Sequence, residues 1–401
     1  MVLHDKMSSE SGEMRERAFR LCRDYLHGAW KVVAPHEIVL KRISGGLSNW
    51  LYLCKLPSNR PARNGEPSQV LLRFYGQIHG EKALEGLITE SVIFTLLSER
   101  RLGPKLHGVF PGGRLEEFIP ARPLHTEELK DPKISVIVAE KMAQIHSMNV
   151  PVSKEPRWLW DTMNRWMQSI QDEIKDEQNT DPHSSQLLRN ILAHNLVAEL
   201  KWLRKFLLKV GSPVVFCHND LQEGNILLRD DASSPSDSLV PIDFEYCAYN
   251  YRAFDLANHF CEWVYDYSNK QSPNFFETRT NYPSTEQQLN FVRAYLATLH
   301  AESSTCRTAP SDLSVRANEE QAVLKEVHAF TLASHFFWGL WSLVNSKVSQ
   351  IPFGYLEYSN ARFDAYFLHK SKLLPDAKGC HQAVDVPGTH LGKRKAEEMA
   401  D

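Results

Sequence analysis

The sequence predicts an α+β fold with two lobes, a small antiparallel β-sheet lobe followed by a large, mostly helical lobe. Two observations predict it. The 401 residues exceed what one small hydrophobic core organises, and β-rich runs occupy the first third of the chain whereas helical periodicity dominates the rest. We expect a flexible N-terminal tail at residues 1–20, a first lobe at 21–124, a second lobe at 125–370 and a flexible C-terminal tail at 371–401.

The first lobe begins with three β-rich runs separated by turn-forming residues, which favours an antiparallel sheet: Glu37–Ile43, Asn49–Leu56 and Gln69–Tyr75. Apolar residues then recur at helical spacing over Glu81–Arg101, and a Gly-Pro pair should end that helix. Two further extended runs, Lys105–Phe110 and Arg114–Ile119, flank a Pro-Gly-Gly sequence typical of a hairpin turn.

The second lobe is predicted to be mostly helical, with apolar faces over Ser135–Met148, Leu159–Ile174 and Leu196–Val210. The most apolar stretch of the chain is Ala329–Val344, which is interrupted by polar residues. Because this stretch is too short to cross a bilayer of about 30 Å, it predicts a buried helix and no transmembrane segment.

Composition and charge exclude some classes of function. Against 49 acidic residues there are 46 basic ones, a net charge of -3, so no overall positive field attracts nucleic acid. The seven cysteines include no C-x-x-C pair, and the first twenty residues contain no apolar leader segment. These features favour a reducing compartment, and we expect the protein to be cytoplasmic.

A short polar motif lies between two strand-like runs of the second lobe. It reads His218-x-Asp220, then four residues, then Asn225, and Asp243 follows eighteen residues later at the end of another apolar run. Protein kinases place an Asp and an Asn in one loop and a second Asp at the next strand end, where they orient a hydroxyl and hold Mg²⁺ on ATP phosphates. The motif therefore predicts a protein-kinase-like fold with a catalytic centre at Asp220, Asn225 and Asp243.

The chemistry of phosphoryl transfer assigns these residues different tasks. A hard cation prefers carboxylate and amide oxygens, so Asn225 and Asp243 are suited to bind magnesium. Asp220 is then free to accept a hydrogen bond from the attacking hydroxyl. Glu245 occupies the position of the glycine in the Asp-Phe-Gly motif of protein kinases.

Three features of the first lobe support this reading by their order along the chain. A turn-rich segment from Ser44 to Asn49 can bring backbone N–H groups to phosphates, Arg73 in the third strand can pair with them, and Glu90 on the next helix can hold that arginine. Singly, each feature is equally compatible with a hairpin turn or a surface charge, and the loop residues with turn and cap positions.

Aromatic residues are concentrated just after this motif. Nine of the twenty-four residues from Phe244 to Tyr267 are aromatic, where the chain average of 10% gives two or three, and four acids are interleaved with them. Trp338 and Trp341 lie one helical turn apart further along. Because a quaternary ammonium is recognised by aromatic faces and nearby negative charge, these segments predict a cation pocket. Core packing is the alternative for any single ring, and Asp255 is expected to brace the loop backbone.

Taken together, three segments resemble the choline/ethanolamine kinase family: Phe216–Asn225, Ile242–Tyr246 and Asn258–Trp263. The resemblance extends from about Ser44 to Asp364. It implies a cytosolic enzyme, usually a homodimer or a heterodimer with a paralogue, that transfers the γ-phosphate of ATP to choline, the first step of the CDP-choline route to phosphatidylcholine. Many members of the family also accept ethanolamine.

The same resemblance implies roles for individual residues. Asp220 would be catalytic, Asn225 and Asp243 would bind Mg²⁺, and Arg73 would contact ATP with Glu90 as its partner. Further ATP contacts are implied for the following residues: Ser44, Gly45, Gly46, Leu47, Ser48, Asn49, Trp50, Gln222, and the interlobe link Glu117, Phe118, Ile119, Pro120, Ala121, Arg122 and Pro123. Besides Asp220, a choline pocket is implied for the following: Glu245, Tyr246, Glu262, Tyr267, Trp338, Trp341, Phe353, Tyr355 and Tyr358.

Two residues depart from the family pattern in the link expected to hold adenine. Glu117 replaces a Gln and Pro123 replaces an Arg found in other members, which affects nucleotide contacts and not the activity. Alternative readings are an ethanolamine-selective kinase, another small-molecule phosphotransferase of similar architecture, which would lack the ordered rings, and an inactive kinase-like scaffold, which would have lost Asp220, Asn225 or Asp243.

Overall fold

The structure is a computed structural model that describes residues 2–43, 49–63, 65–75, 81–173, 181–302 and 312–374. The first five residues of the predicted phosphate turn, Ser44 to Ser48, and the predicted tail from residue 375 onward lie outside the described residues.

The N-terminal region is built on a five-stranded antiparallel sheet of order β1-β2-β3-β5-β4. Its elements are helix α1 (Val2–Tyr25), β1 (Val39–Ile43), β2 (Asn49–Lys55), β3 (Gln69–Tyr75), α2 (Glu81–Glu99), β4 (Leu106–Phe110) and β5 (Gly113–Glu117). Side chains alternate along β3, so Val70, Leu72 and Phe74 are buried in the sheet core. The same alternation puts Arg73 on the opposite face.

The structure differs from the prediction at residues 2–20, which form most of helix α1 where a flexible tail was expected. The reason is a narrow apolar face at four-residue spacing, with Ala18 and Cys22 on the helix and Leu26 directly after its end, which is buried against the sheet. The guanidinium of Arg17 also lies 4.5 Å from the centre of the Phe74 ring. A mostly polar helix therefore becomes part of the core through a few residues.

In the described part of the C-terminal region, eight α-helices pack around one large core. They are α3 (Pro132–His146), α4 (Arg157–Glu173), α5 (Pro182–Ala193), α6 (Leu196–Leu208), α7 (Arg252–Glu262), α8 (Thr285–Glu302), α9 (Leu313–Val348) and α10 (Tyr355–Leu373). The predicted buried helix is confirmed as part of α9, whose residues from Ala329 to Leu340 are all buried. Helix α10 includes the first three residues of the predicted C-terminal tail. Among the described helices, none is both long and apolar enough to span a membrane.

Small strands position two loops side by side between the sheet and the helices. The strands are β6 (Ala121–Pro123), β7 (Val214–Cys217), β8 (Ile226–Arg229), β9 (Leu239–Pro241), β10 (Ala248–Tyr251), β11 (Tyr265–Asp266) and β12 (Phe276–Glu277). Strand β8 pairs with β9, and β7 pairs with β10. The loops 218–225 and 242–247 both connect these two pairs, so they must run next to each other.

Candidate active site

The loop from His218 to Asn225 is held by a buried carboxylate on α7. Asp255 accepts hydrogen bonds from the backbone N–H groups of His218 (2.9 Å) and Asn219 (2.8 Å) and from Nε2 of His146 (2.9 Å). Burial alone would raise the pKa of Asp255, but the hydrogen bond and charge of His146 outweigh it and the pKa is lowered. Asn219 has φ of 68°, a left-handed conformation that Asn tolerates. The expectation that Asp255 braces this loop is confirmed.

His218 ties the two loops together. Its Nε2 donates to the carbonyl of Ile242 (3.0 Å), while its Nδ1 accepts from the N–H of Asp220 (3.3 Å). This pattern requires a neutral imidazole, and burial lowers the pKa of His218 accordingly. Asn219 adds a second tie, because its side-chain amide donates to the carbonyl of Tyr246 (2.9 Å). The side chains of His218 and Asn219 therefore serve to fix the loop.

Four residues form what we call the acidic wall: Asp220, Asn225, Asp243 and Glu245. The amide nitrogen of Asn225 donates to Oδ2 of Asp220 (2.9 Å), which directs its Oδ1 away from that carboxylate. The backbone carbonyl of Asn225 accepts from the N–H of Ile242 (2.9 Å), which brings Asp243 next to the amide. Among the described residues, neither Asp220, Asp243 nor Glu245 forms an ion pair. An oxygen-rich cluster whose carboxylates form no ion pair suits a hard divalent cation, and Asn225 and Asp243 fit that role.

Crowding of negative charge alters the titration of the acidic wall. Burial, followed by the carboxylates of Glu262, Asp243 and Glu245, raises the pKa of Asp220 well above its usual value. The side chain of Glu245 is exposed to solvent but lies in a cleft. Partial desolvation there, and then the charges of Asp243 and Glu90, raise its pKa to about 7.

The expected ion pair between Arg73 and Glu90 is wrong. Arg73 instead donates through Nε to Glu116 (2.8 Å), and Glu90 accepts from Nη1 of Arg114 (2.6 Å). The physical reason is strand register, because Arg73 on β3 faces Arg114 on β5. Two facing cations need two carboxylates, so Glu116 joins them and Glu90 completes the chain. Although desolvation opposes it, Glu116 and then Glu90 raise the pKa of the buried Arg114.

The predicted adenine link runs from Glu117 to Pro123 between the two regions. Glu117 accepts from the N–H of Lys105 (3.0 Å) and lies 3.4 Å from Nη1 of Arg229. The link then pairs as β6 with β8, the strand that leaves the catalytic loop. Arg122 is exposed and forms a bidentate ion pair with Glu128, with both contacts at 2.7 Å. The link residues thus contact both the sheet region and the strand that leaves the catalytic loop. Their nucleotide contacts stay a prediction.

Two other residues predicted to contact ATP have a defined environment. Gln222 uses Oε1 to accept from the N–H of Gly224 (2.7 Å), which shapes the short turn before Asn225. Trp50 on β2 is one of the exposed large apolar residues, with 56% of its surface accessible. For Asn49 the structure describes the strand and not the side chain.

The predicted aromatic residues meet in what we call the ring pocket, defined as Tyr246, Tyr267, Trp338, Trp341, Phe353, Tyr355 and Tyr358 with Glu262. Neighbouring ring centres lie 5.1–6.4 Å apart in the following pairs: Tyr246–Trp338, Trp338–Trp341, Trp341–Tyr355, Phe353–Tyr355, Phe353–Tyr358 and Tyr267–Phe353. At the far end of this chain, the hydroxyl of Tyr267 donates to Oε2 of Glu262 (2.8 Å).

The ring pocket and the acidic wall adjoin. Burial, followed by the charges of Glu245 and Asp220, raises the pKa of Tyr246, and Glu262 acts on Asp220 in the same way. Trp338 is only 7% exposed, and its indole N–H donates to Oδ1 of Asn258 (2.7 Å). The row of rings thus begins next to Asp220 at Tyr246 and ends at Glu262.

Sequence reasoning missed Arg362 on α10. It is fully buried and donates through Nη2 to Glu262 and to the hydroxyl of Tyr358. The one signal in the sequence is its position four residues after Tyr358, which puts both side chains on the same face of a helix. Asn258, which holds Trp338, was quoted within a motif but given no role.

Comparison with known proteins agrees with the geometry. The sequence profile described as choline/ethanolamine kinase matches residues 40–367. A human protein named choline/ethanolamine kinase is 47% identical over 368 residues, 92% of this chain and 89% of its own length. Mouse choline kinase alpha is 45% identical over 382 residues, 90% of this chain and 81% of its own. The solved structure of choline kinase from Cryptosporidium parvum has a TM-score of 0.71 and 29% identity, covering 90% of this chain and 96% of that one.

The two-lobed fold and the acidic wall define a phosphotransferase of the protein-kinase-like class. Within that class, the chain belongs to the choline/ethanolamine kinase family, and it is an ATP-dependent kinase.

Proposed function

We propose that this protein transfers the γ-phosphate of ATP to the hydroxyl of choline, and also of ethanolamine, giving the phosphorylated amino alcohol. The observation that carries the proposal is the contact between its two halves. An acidic wall whose carboxylates form no ion pair in the described residues adjoins the ring pocket, which ends in a carboxylate. An alcohol attached to a cation can therefore meet a nucleotide phosphate there.

The acidic wall supports the positioning steps of the reaction. The carboxylate of Asp220 accepts a hydrogen bond from the substrate hydroxyl and orients it in line with the terminal phosphate. Asn225 and Asp243 offer the amide and carboxylate oxygens that would hold Mg²⁺, which neutralises phosphate charge when bound. Because Asp255 and His218 fix the loop backbone, Asp220 is already oriented before substrate binds.

The sheet region would supply the phosphate contacts. Glu116 is bonded to the Nε atom of Arg73, and no hydrogen bond to another described residue involves its Nη groups, which can therefore contact phosphate oxygens. The side chain is 17% exposed, which leaves access from the cleft. Residues Ser44 to Trp50, Gln222 and the link from Glu117 to Pro123 are proposed to complete the nucleotide site.

The ring pocket would hold the substrate cation. A trimethylammonium group has no N–H to donate, so aromatic faces and a nearby carboxylate are its best partners. An ethanolamine-selective enzyme is the second candidate, since Glu245 could accept from a primary ammonium. We also propose a cytoplasmic location and a homodimer, or a heterodimer with a paralogue, and light scattering would test the assembly.

The direct test is to incubate purified protein with ATP, Mg²⁺ and either amino alcohol, and to follow the products by ³¹P NMR. We expect phosphocholine to form, phosphoethanolamine to form at a lower kcat/KM, and both to disappear when EDTA removes the metal. If neither amino alcohol reacts while ATP binds, the substrate assignment is wrong.

A further inference from the structure

A closed set of hydrogen bonds lies at the deep end of the ring pocket, and we call it the Arg362 cycle. Its members are Arg362, Tyr358, Tyr267 and Glu262. Arg362 donates to Glu262 and to the hydroxyl oxygen of Tyr358. The two tyrosine oxygens are 2.6 Å apart, and Tyr267 donates to the second oxygen of Glu262 (2.8 Å).

The chemistry of the members fixes the direction of every hydrogen bond. A guanidinium only donates and a carboxylate only accepts. Burial raises the pKa of both Tyr267 and Tyr358, so each hydroxyl keeps its proton. Because the hydroxyl of Tyr267 donates its hydrogen bond to Glu262, the hydroxyl of Tyr358 must donate its own to the oxygen of Tyr267. Every O–H in the cycle is therefore turned toward another member.

Packing alone does not explain a buried arginine here. Arg362 is fully buried, its guanidinium lies 3.9 Å from the centre of the Tyr265 ring and 4.9 Å from that of Tyr358. Its Nε and Nη1 atoms are buried without a hydrogen-bond partner among the described residues. Leaving polar hydrogens unpaired in a core is unfavourable, so an apolar residue would serve packing better.

We propose that Arg362 is a positioning residue that sets which class of cation the ring pocket prefers. This inference rests on the proposed function, in which the substrate cation binds at the ring pocket. The cycle provides a hydrogen-bond donor to each oxygen of Glu262 and offsets its charge, so the pocket presents mainly π-faces to the cation. A trimethylammonium group needs no hydrogen-bond acceptor, whereas a primary ammonium must find acceptors for three N–H groups. The cycle therefore favours N-methylated amino alcohols over primary ones.

The test measures kcat and KM for choline, ethanolamine and ATP in Arg362→Leu, Arg362→Lys and Tyr358→Phe. In Arg362→Leu, Glu262 is freed for an ammonium and the rings lose their fixed orientation. We expect the choline-to-ethanolamine ratio of kcat/KM to fall about tenfold or more, since unpaired polar groups control such discrimination. The KM for ATP should stay within about twofold. Arg362→Lys should restore part of the ratio. Tyr358→Phe keeps the ring but removes the hydroxyl that contacts both Arg362 and Tyr267, so the two groups bonded to Glu262 lose their fixed orientation and the ratio should fall.

Arg252→Leu is the matched control. Arg252 forms another largely buried ion pair, with Glu326, at the start of α7 (2.8 Å). Its loss should lower thermal stability and leave the substrate ratio unchanged. If Arg362→Leu does not fold, Tyr358→Phe decides the question alone.

An unchanged ratio in Tyr358→Phe overturns the cycle, whatever Arg362→Leu does, and a ratio equally lowered in Arg252→Leu reduces the effect to general stability. These failures differ from failure of the proposed function, in which the wild-type protein would phosphorylate neither amino alcohol.

Discussion

The acidic wall and the ring pocket handle negative charge in opposite ways. In the acidic wall, Asp220 and Asp243 approach each other without an ion pair among the described residues. In the ring pocket, Glu262 is bonded to Arg362 and to Tyr267. The first arrangement favours the binding of a cation from outside the chain, whereas the charge of Glu262 is already compensated within it.

This difference indicates where each bound cation is expected to lie. A divalent cation is expected at the acidic wall, where it would relieve repulsion between carboxylates. At the ring pocket, a diffuse monovalent cation can bind through aromatic faces without competing with Arg362. One cleft can therefore hold a metal-bound nucleotide and an organic cation without exchanging their sites.

Among substitutions that test the difference between the two sites, Asp220→Ala should have the largest effect on activity, because it removes the residue that orients the substrate hydroxyl. We expect kcat to fall by about 10³-fold, within the range for loss of a positioned base, while Tm is unchanged or higher because a crowded carboxylate is gone. Steady-state kinetics and thermal denaturation check this. The exposed Asp364→Ala on α10 serves as control, and a rate within threefold of wild type in Asp220→Ala would contradict the assignment.

Trp338→Ala should affect only the other side of the cleft. We expect the KM for choline to rise about tenfold, as for the loss of a partly desolvated cation–π contact, with the KM for ATP nearly unchanged. Trp202→Ala is the control, since that ring stacks on Phe206 at 5.1 Å in α6, outside the ring pocket. Equal increases in both KM values would mean that the two sides are not separate.

His259 supports the acidic wall from behind and should give the smallest effect. Its Nδ1 donates to the carbonyl of Leu221 (2.9 Å), and burial lowers its pKa to about 4. The unfolded chain takes up this proton near pH 6.5, so the contribution of His259 to stability is complete above that pH. It is lost as the pH falls toward 4.

The linked loss of stability should be about 2 kcal/mol between pH 7 and 5. Urea denaturation of wild type and His259→Gln at both pH values measures it. The variant should be less stable at pH 7 but lose less on acidification, whereas the exposed His27→Gln should follow wild type. Identical pH dependence in His259→Gln and wild type would exclude this role.

Features determined by residues close together in the sequence were predicted better than features determined by distant residues. Strand β3 was predicted with its exact bounds, Gln69–Tyr75, because alternation is a local property. The acidic wall was also readable, since its members lie within 26 positions of one another. Helix α1 was missed because three buried residues define its apolar face.

Pairings between distant segments were harder to predict. Glu90 was assigned to Arg73, but strand register brings Arg114 to it instead. Arg362 lies 100 positions from Glu262, and nothing in the local sequence distinguishes a buried arginine from a surface one. Tertiary packing decides such partners, and the sequence pattern of one element contains no record of it.

The most direct test of a shared cleft is a crystal structure of the protein with ADP, Mg²⁺ and choline. We predict that the choline hydroxyl lies within about 3 Å of the Asp220 carboxylate, with the trimethylammonium group against Trp338 and Trp341. Choline bound away from those rings, or with its hydroxyl directed away from Asp220, would contradict it.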